Sequence, residues 1–281
     1  MRNINTEEIY RVTKEAFKEM AFHYLSAVSL TLEKAKAEET SGRAISILNH
    51  LEENAKIAQE KEIPICQDTG MAFVNLKIGQ EVHFQGNYLE DCIQLAVREA
   101  YEEAYLRKSV VSDPLFERKN TMDNTPAIIH YQIVAGDKVE IDLCAKGFGS
   151  ENTSRIKMCT PATGVNGVKE FVLETVRLAG PNACPPMVIG VGIGGSFEHV
   201  AYLAKKALLR PIDSFNSHQQ YKQLEIELLE EINCLNIGPM GLGGKTTALK
   251  VNIEWFPTHI ASLPVAVNIN CHVQRQKRIV L

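Results

Sequence analysis

Pro186-Met187-Val188-Ile189-Gly190-Val191-Gly192-Ile193-Gly194-Gly195-Ser196 is an apolar run closed by glycines, and the residues after it read as a helix from Ser196 to Leu209. Pro186 to Val191 reads as a short strand, and the glycines as a turn into that helix. The spacing Gly190-x-Gly192-x-x-Gly195 satisfies the pattern of a dinucleotide-binding turn. Such a site also needs a second strand ending in an acidic residue about 20 residues on. Here the helix runs into Arg210-Pro211-Ile212-Asp213 and then into another helical stretch, Ser217 to Ile232, so Asp213 has no strand to end. The run therefore predicts a tight strand-to-helix turn in an α/β chain, not a regular Rossmann fold. Exposed amides at the helix start could still help to hold an anion.

Working outward, helices dominate the first third. Thr6 to about Glu39 reads as one long helix, with acidic residues in its first turn and Ile9, Phe17 and Leu25 interleaved with Lys and Glu. Ser41-Gly42 breaks it, and a second helix carries Ile45, Leu48, Leu51 and Ala55 on one face. Pro64 ends that segment. Met71 to Ile78 is a strand and Leu89 to Arg107 an amphipathic helix. An irregular stretch from Asp113-Pro114 to Pro126 follows. Two strands around Gly136-Asp137 form a hairpin, in which Val139, Ile141 and Leu143 alternate with polar residues. Val165 to Ala179 is a helix stopped by Gly180-Pro181. Strands near Ala248–Trp255 and Val265–Ile269 and a short basic tail complete the chain. The pattern predicts one compact mixed α+β domain over residues 1–281, with mixed β-sheets flanked by helices.

A length of 281 residues with 45% apolar residues allows a substantial core. A net charge of −4 offers no basic field for nucleic acid. No apolar run reaches membrane-spanning length. The polar start, Met1-Arg2-Asn3-Ile4-Asn5-Thr6, is unlike an export signal, so the expected location is the cytoplasm and no membrane partner is expected. Seven cysteines without such a signal argue against structural disulfides.

A second glycine string, Gly238-Pro239-Met240-Gly241-Leu242-Gly243-Gly244-Lys245-Thr246, looks like a phosphate loop but fails on register. The first glycine should fall at position 239, which is Pro239, and the residues after Lys245 read as strand, not helix. A structural glycine turn is the better reading.

Cys66, Cys184 and Cys271 each sit where the chain turns, and no two are close in sequence. That excludes a local zinc knuckle and suggests three loops meeting at one point. Three thiolates are one too few to close a four-iron cluster, which would leave one iron open as a Lewis acid. Cys92, Cys144, Cys159 and Cys234 lie in apolar or helical patterns and read as small buried hydrophobes. Gln67, Asp68, Arg107 and His259 could handle a hydroxylated diacid, with a guanidinium for a carboxylate and an acid or imidazole to move protons. Each also has a plain structural reading: Asp68 shapes a turn, Arg107 complements a helix end, His259 caps or satisfies a buried bond.

The strings Ile65-Cys66-Gln67-Asp68-Thr69-Gly70, Asn120-Thr121-Met122-Asp123-Asn124-Thr125-Pro126, Lys146-Gly147-Phe148-Gly149-Ser150-Glu151-Asn152, Cys184-Pro185-Pro186, Gly190 to Gly195 and Gly241-Leu242-Gly243-Gly244-Lys245-Thr246-Thr247 occur in that order. Together they resemble the alpha subunit of the class I, iron–sulfur fumarate hydratases and the related L(+)-tartrate dehydratases. The resemblance implies a hydro-lyase interconverting fumarate and (S)-malate, with tartrate dehydration as the alternative. A metal-free binding or assembly subunit is the rival outside enzymology. The resemblance further implies a [4Fe–4S] cluster held by Cys66, Cys184 and Cys271. Gln67, Arg107 and Gly149 would bind the dicarboxylate, Asp68 would give or take a proton, and His259 would hydrogen-bond or position substrate. Arg118 and Gly147 are the alternatives at two of those positions. Phe148 stands where the family often has glycine. The chain stops ten residues past Cys271, without the second domain of the single-chain enzymes. A separate beta subunit is therefore implied, in a hetero-oligomer such as (alpha-beta)2.

Overall fold

The computed structural model describes residues 1–281, and the chain divides into two units, each assembled from separated stretches of sequence. The first unit takes Met1–Leu25, Asn54–Phe148 and Arg275–Leu281; the second takes Ser26–Glu53 and Gly149–Gln274. In chain order the early elements are β1 (Arg2–Asn5), α1 (Thr6–Phe22), α2 (Ser26–Glu38), α3 (Gly42–Lys61), β2 (Met71–Gly79) and β3 (Val82–Gln85). Then come α4 (Leu89–Glu103), β4 (Ile128–Val134), β5 (Val139–Lys146), α5 (Phe148–Glu151), β6 (Arg155–Cys159) and α6 (Gly164–Ala179). The last are β7 (Met187–Gly194), α7 (Phe197–Leu208), α8 (Gln219–Asn233), β8 (Ala248–Phe256), β9 (Leu263–Asn270) and β10 (Gln276–Val280). No helix is long and apolar enough to cross a membrane.

In the first unit a four-stranded mixed sheet has the order β10-β5-β2-β4, beside a parallel β1-β3 pair. Its core joins Ile9, Phe17 and Met20 of α1 to Ile93, Val97 and Tyr101 of α4 and to Leu76, Ile141 and Leu143 of the sheet. The expected hairpin does not form: β4 and β5 lie on opposite sides of β2, β4 parallel to it and β5 antiparallel. Ala72 to Leu76 is buried without interruption, as a central strand requires. By contrast β4 exposes Ile128, Tyr131 and Ile133 at the sheet edge. The basic tail is also ordered, as β10 paired antiparallel to β5, with Arg278 bonded to Asp142 (2.5 Å) and Lys277 to Glu19.

The long N-terminal helix is two helices. His23 is extended (φ −122°, ψ 134°) and separates α1 from α2. The cause is that the halves serve different cores: α1 buries Ile9, Phe17 and Met20 in the first unit, whereas α2 lies in the second.

In the second unit the sheet order is β6-β9-β7-β8, with β8 parallel and β9 antiparallel to the central β7. One face packs on α6 and α8 through Phe171, Val176, Leu228, Ile189, Val251 and Val267. The other face carries α7, through Val200, Ala204 and Ala266. Gly190 and Gly192 lie within β7, and only Gly194 and Gly195, at φ 88° and 70°, make the turn. A Cβ on Gly190 would meet the Ala204 carbonyl oxygen at 2.2 Å, and one on Gly192 the Val200 carbonyl oxygen at 2.3 Å. The glycines therefore let the backbone of α7 rest directly on β7. Asp213 ends no strand, so the sheet is not a regular Rossmann sheet. Gly192→Ala should destabilise the chain by about 1–3 kcal/mol, the range of an overpacked core, read as a lower urea midpoint. An unchanged midpoint would show that α7 shifts at no cost.

Candidate functional site

In the first unit, residues 64–70 leave α3 and form the loop carrying Cys66, Gln67 and Asp68. Cys66 and Asp68 are half-buried and Gln67 is exposed. Asp68 is gripped at both carboxylate oxygens: Oδ1 accepts the Gly70 N–H (3.0 Å) and Oδ2 the Phe148 N–H (2.7 Å). Its carbonyl oxygen accepts from Nη1 of Arg275 (2.7 Å). Gly147 passes so close that a Cβ there would lie 3.2 Å from Asp68 Oδ2 and 3.3 Å from Arg275 Nη2.

The rest of the loop is tied from below. Tyr101, fully buried, donates to the carbonyl oxygens of Thr69 (2.9 Å) and Gly70 (3.0 Å). Burial pushes its phenol well above the usual range, so it remains a neutral donor. Asn124 donates Nδ2–H to Gly70 O (3.1 Å) and accepts the Ser109 N–H (2.8 Å). Thr69 Oγ1 donates to Arg107 O (2.8 Å). Arg107 lies past the end of α4 at Glu103, not on the helix, and its side chain is exposed. The unit thus brings together the loop of Cys66, the Arg107 segment and the Gly147–Phe148 turn. Arg118, the alternative to Arg107, bonds its guanidinium within its own turn, to Pro114 O (2.5 Å).

In the second unit Cys184 precedes β7 and Cys271 follows β9. Antiparallel pairing of Val188 with Asn270 brings both to one end of the sheet. Cys184 adopts a left-handed conformation (φ 51°, ψ 63°), and His272 Nδ1 lies 3.2 Å from its carbonyl oxygen. Gly149 reaches the same loop: a Cβ on it would make ordinary contact with Asn182 O at 3.7 Å. His259 does not. It sits exposed in the β8–β9 connection, its Nδ1 accepting the Ala261 N–H (3.2 Å), at the opposite end of the sheet. The eight residues of β9 put about 26 Å of strand between that turn and Cys271.

The seven cysteines form no disulfide, and they sort by environment. Cys66, Cys184 and Cys271 are half-buried on loops, while Cys92, Cys144 and Cys159 are buried. Cys234, expected among the buried ones, is instead exposed at the C-terminal cap of α8. It falls one residue past the last turn, where the apolar stripe of that helix has ended.

Two residues went unread in the sequence. Arg275 is buried beside the candidates, but no spacing marks it. Glu39, at the end of α2, is buried as well. Its Oε1 accepts the N–H groups of Thr40 (2.8 Å) and Ser41 (3.0 Å), and its Oε2 that of Lys245 (2.7 Å). A carboxylate occupies the glycine string that looks like a phosphate loop. Burial raises the carboxyl pKa, but the amides of Ser41, Thr40, Lys245 and Thr246 outweigh it and hold it below the ordinary range. A depressed carboxyl contributes stability that is fully present above its unfolded pKa and lost as pH falls through the folded one. Glu39→Gln should therefore unfold at a lower temperature than the native chain at neutral pH, the gap closing below the carboxylate range. A gap independent of pH would contradict this.

The family model described as fumarate hydratase (Fumerase) matches residues 10–280. A Methanocaldococcus jannaschii protein provisionally named L(+)-tartrate dehydratase subunit alpha is 43% identical, over 98% of each chain. The L(+)-tartrate dehydratase subunit alpha of Escherichia coli K12 is 35% identical, over 87% of this chain and 81% of its own.

Proposed function

The chain belongs to the fumarate hydratase (Fumerase) family, and from that premise we propose that it is the alpha subunit of an iron–sulfur hydro-lyase, adding or removing water across the carbon–carbon bond of a four-carbon dicarboxylate. The observation that carries the proposal is the family match over residues 10–280, beside three half-buried loop cysteines, Cys66, Cys184 and Cys271.

The donor set fits a [4Fe–4S] cluster. Soft thiolates suit such iron, and three of them leave one iron open. Cys66 lies on a loop of the first unit, and Cys184 and Cys271 lie on loops of the second. Bound there, the cluster would supply a Lewis acid for the departing hydroxyl.

The chain's own residues would bind and orient the substrate and handle one of its protons. Asp68 would give the proton with which the departing hydroxyl leaves as water, or take it back on hydration, from a carboxyl whose direction is set by two amides. Arg107, exposed and permanently charged, would pair a substrate carboxylate. Gln67 would hydrogen-bond the substrate beside Cys66, and the Gly149 N–H would donate to a carboxylate. We assign no step to His259, which lies at the end of the second unit's sheet opposite Cys184 and Cys271. Removal of the carbon-bound proton falls to a separate beta subunit, the partner that the relatives' subunit names point to. Those names also point to L(+)-tartrate, and the family name to (S)-malate; turnover of both by the assembled complex assigns the substrate.

Anaerobic reconstitution with iron and sulfide should give about four irons per chain, a broad visible absorption band and hydro-lyase activity dependent on the beta subunit. Purified chain that takes up no iron would overturn the cluster. Full activity of this chain alone would overturn the two-subunit reading.

A further inference from the structure

We propose that Glu39 is a positioning residue that sets the geometry of Cys184 by tying its own turn, through the amides of Thr40 and Ser41, to the 238–247 loop, through the amide of Lys245. This inference rests on Cys184 being a cluster ligand only for its functional meaning; the mechanical link is independent of it.

The link runs through short contacts within the second unit. Glu39 ties down the amides of Thr40 and Ser41 at one oxygen and that of Lys245 at the other. The Lys245 ammonium also donates to Glu38 O (3.4 Å), so backbone and side chain hold the same corner. Gly244 admits the carboxylate: a Cβ there would lie 2.9 Å from Oε2, and its φ of 121° excludes other side chains. From this corner the loop reaches the cysteine segment at three points. Met187 N donates to Thr247 O (2.9 Å), and Met240 N donates to Pro185 O (2.8 Å). Gly241 rests against Pro181, where a Cβ would be 2.4 Å from the Pro181 Cβ. These contacts bracket Cys184 on both sides.

Successive backbone N–H groups turned inward form a concavity that holds an anion. In a nucleotide-binding loop the anion is a phosphate that comes and goes. Here it is a side chain of the same chain, buried and charged. Taking it away leaves the amides of Thr40, Ser41 and Lys245 without that acceptor, which is costly, so the Lys245 corner shifts and loosens the loop's contacts to Pro181, Pro185 and Met187. Cys184 then loses the frame that keeps it left-handed.

The test uses the full chain purified without iron. Alkylation of Cys184 by iodoacetamide, followed by mass spectrometry, should run about tenfold faster in Glu39→Ala than in the native chain. Alkylation of Cys66, in the first unit, should keep its native rate as the internal reference. Added formate, a carboxylate small enough to enter the vacated nest, should return the Cys184 rate toward native. Glu39→Gln, which keeps shape but loses charge, should fall between the two. In the reconstituted complex Glu39→Ala should lose iron faster on chelation, and formate should slow the loss. A Cys184 rate that is unchanged in Glu39→Ala, or a rate raised equally at Cys66 and blind to formate, would overturn the inference. Failure of the native chain to take up iron would overturn the proposed function instead, and leave the alkylation result standing.

Discussion

Cys184→Ser should fold with the native thermal midpoint to within a few degrees, yet bind no stable cluster and show no hydro-lyase activity in the assembled complex. Serine preserves the size of the side chain and the left-handed turn that precedes Pro185-Pro186. It replaces a soft thiolate with a hard, protonated hydroxyl that iron–sulfur centres rarely accept. Iron should fall from about four per chain to the level of non-specific binding. Two control substitutions separate ligation from bulk chemistry of the thiols. Cys234→Ser changes an exposed residue at the end of α8 and should alter neither iron nor activity. Cys159→Ser puts a hydroxyl into the second unit's apolar core and should lower stability by about 1–3 kcal/mol while leaving iron in place. Iron content by elemental analysis, beside thermal unfolding, reads all three. Cys184→Ser with a full cluster would remove Cys184 from the ligand set.

Periodicity made most elements of the second unit readable, because its helices and strands alternate along the chain and each carries one pattern. The strand from 187, the helices after it and the strands from 248 and 263 all stand close to where their apolar runs put them. What periodicity does not carry is pairing. A hairpin over residues 128–146 was the local expectation, but the apolar run from Ala72 competes for the same edge of Val139–Lys146 and takes it. The basic tail hid a strand for a similar reason. Gln276 to Val280 has too few apolar residues to signal itself, and its cations make sense only opposite Asp142 and Glu19.

The candidate site divides the same way. Cys66, Asp68, Cys184 and Cys271 stood out as candidates because cysteines and acids where the chain turns are chemically conspicuous. The roles of Asn124 and Thr69 did not, since a fully buried amide looks like any other until its partners are known. Nor did Glu39: between Glu38 and Thr40 it looks like one more solvated helix-end acid, and its second oxygen finds an amide 206 residues later at Lys245. His259 lies twelve residues before Cys271, and those residues include a whole strand, which carries the two apart.

Asp68→Asn should cut kcat of the assembled complex by about a hundredfold to ten-thousandfold, the usual worth of a proton-transfer group, with a much smaller change in KM. The prediction is sharp because the carboxylate is held in a way that an amide cannot copy. Both of its oxygens accept backbone N–H groups, from Gly70 and from Phe148. Asparagine offers one acceptor and one donor, so one of the two amides must face an N–H₂ group and lose its partner. Some structural cost is therefore built in, about 1–3 kcal/mol for a lost charged hydrogen bond. Iron retention separates it from the chemical effect. If Asp68 serves only to shape the turn beside Cys66, Asp68→Asn should lose iron and activity in proportion, and activity per bound cluster should remain native. If Asp68 moves the proton, iron should stay and turnover per cluster should fall. Arg275→Lys supplies the contrast, because it weakens the hold on the Asp68 carbonyl oxygen while leaving the carboxylate and its two amides in place. It should lower kcat by less than Asp68→Asn does. Native turnover per cluster in Asp68→Asn would end the assignment of this carboxyl to proton transfer.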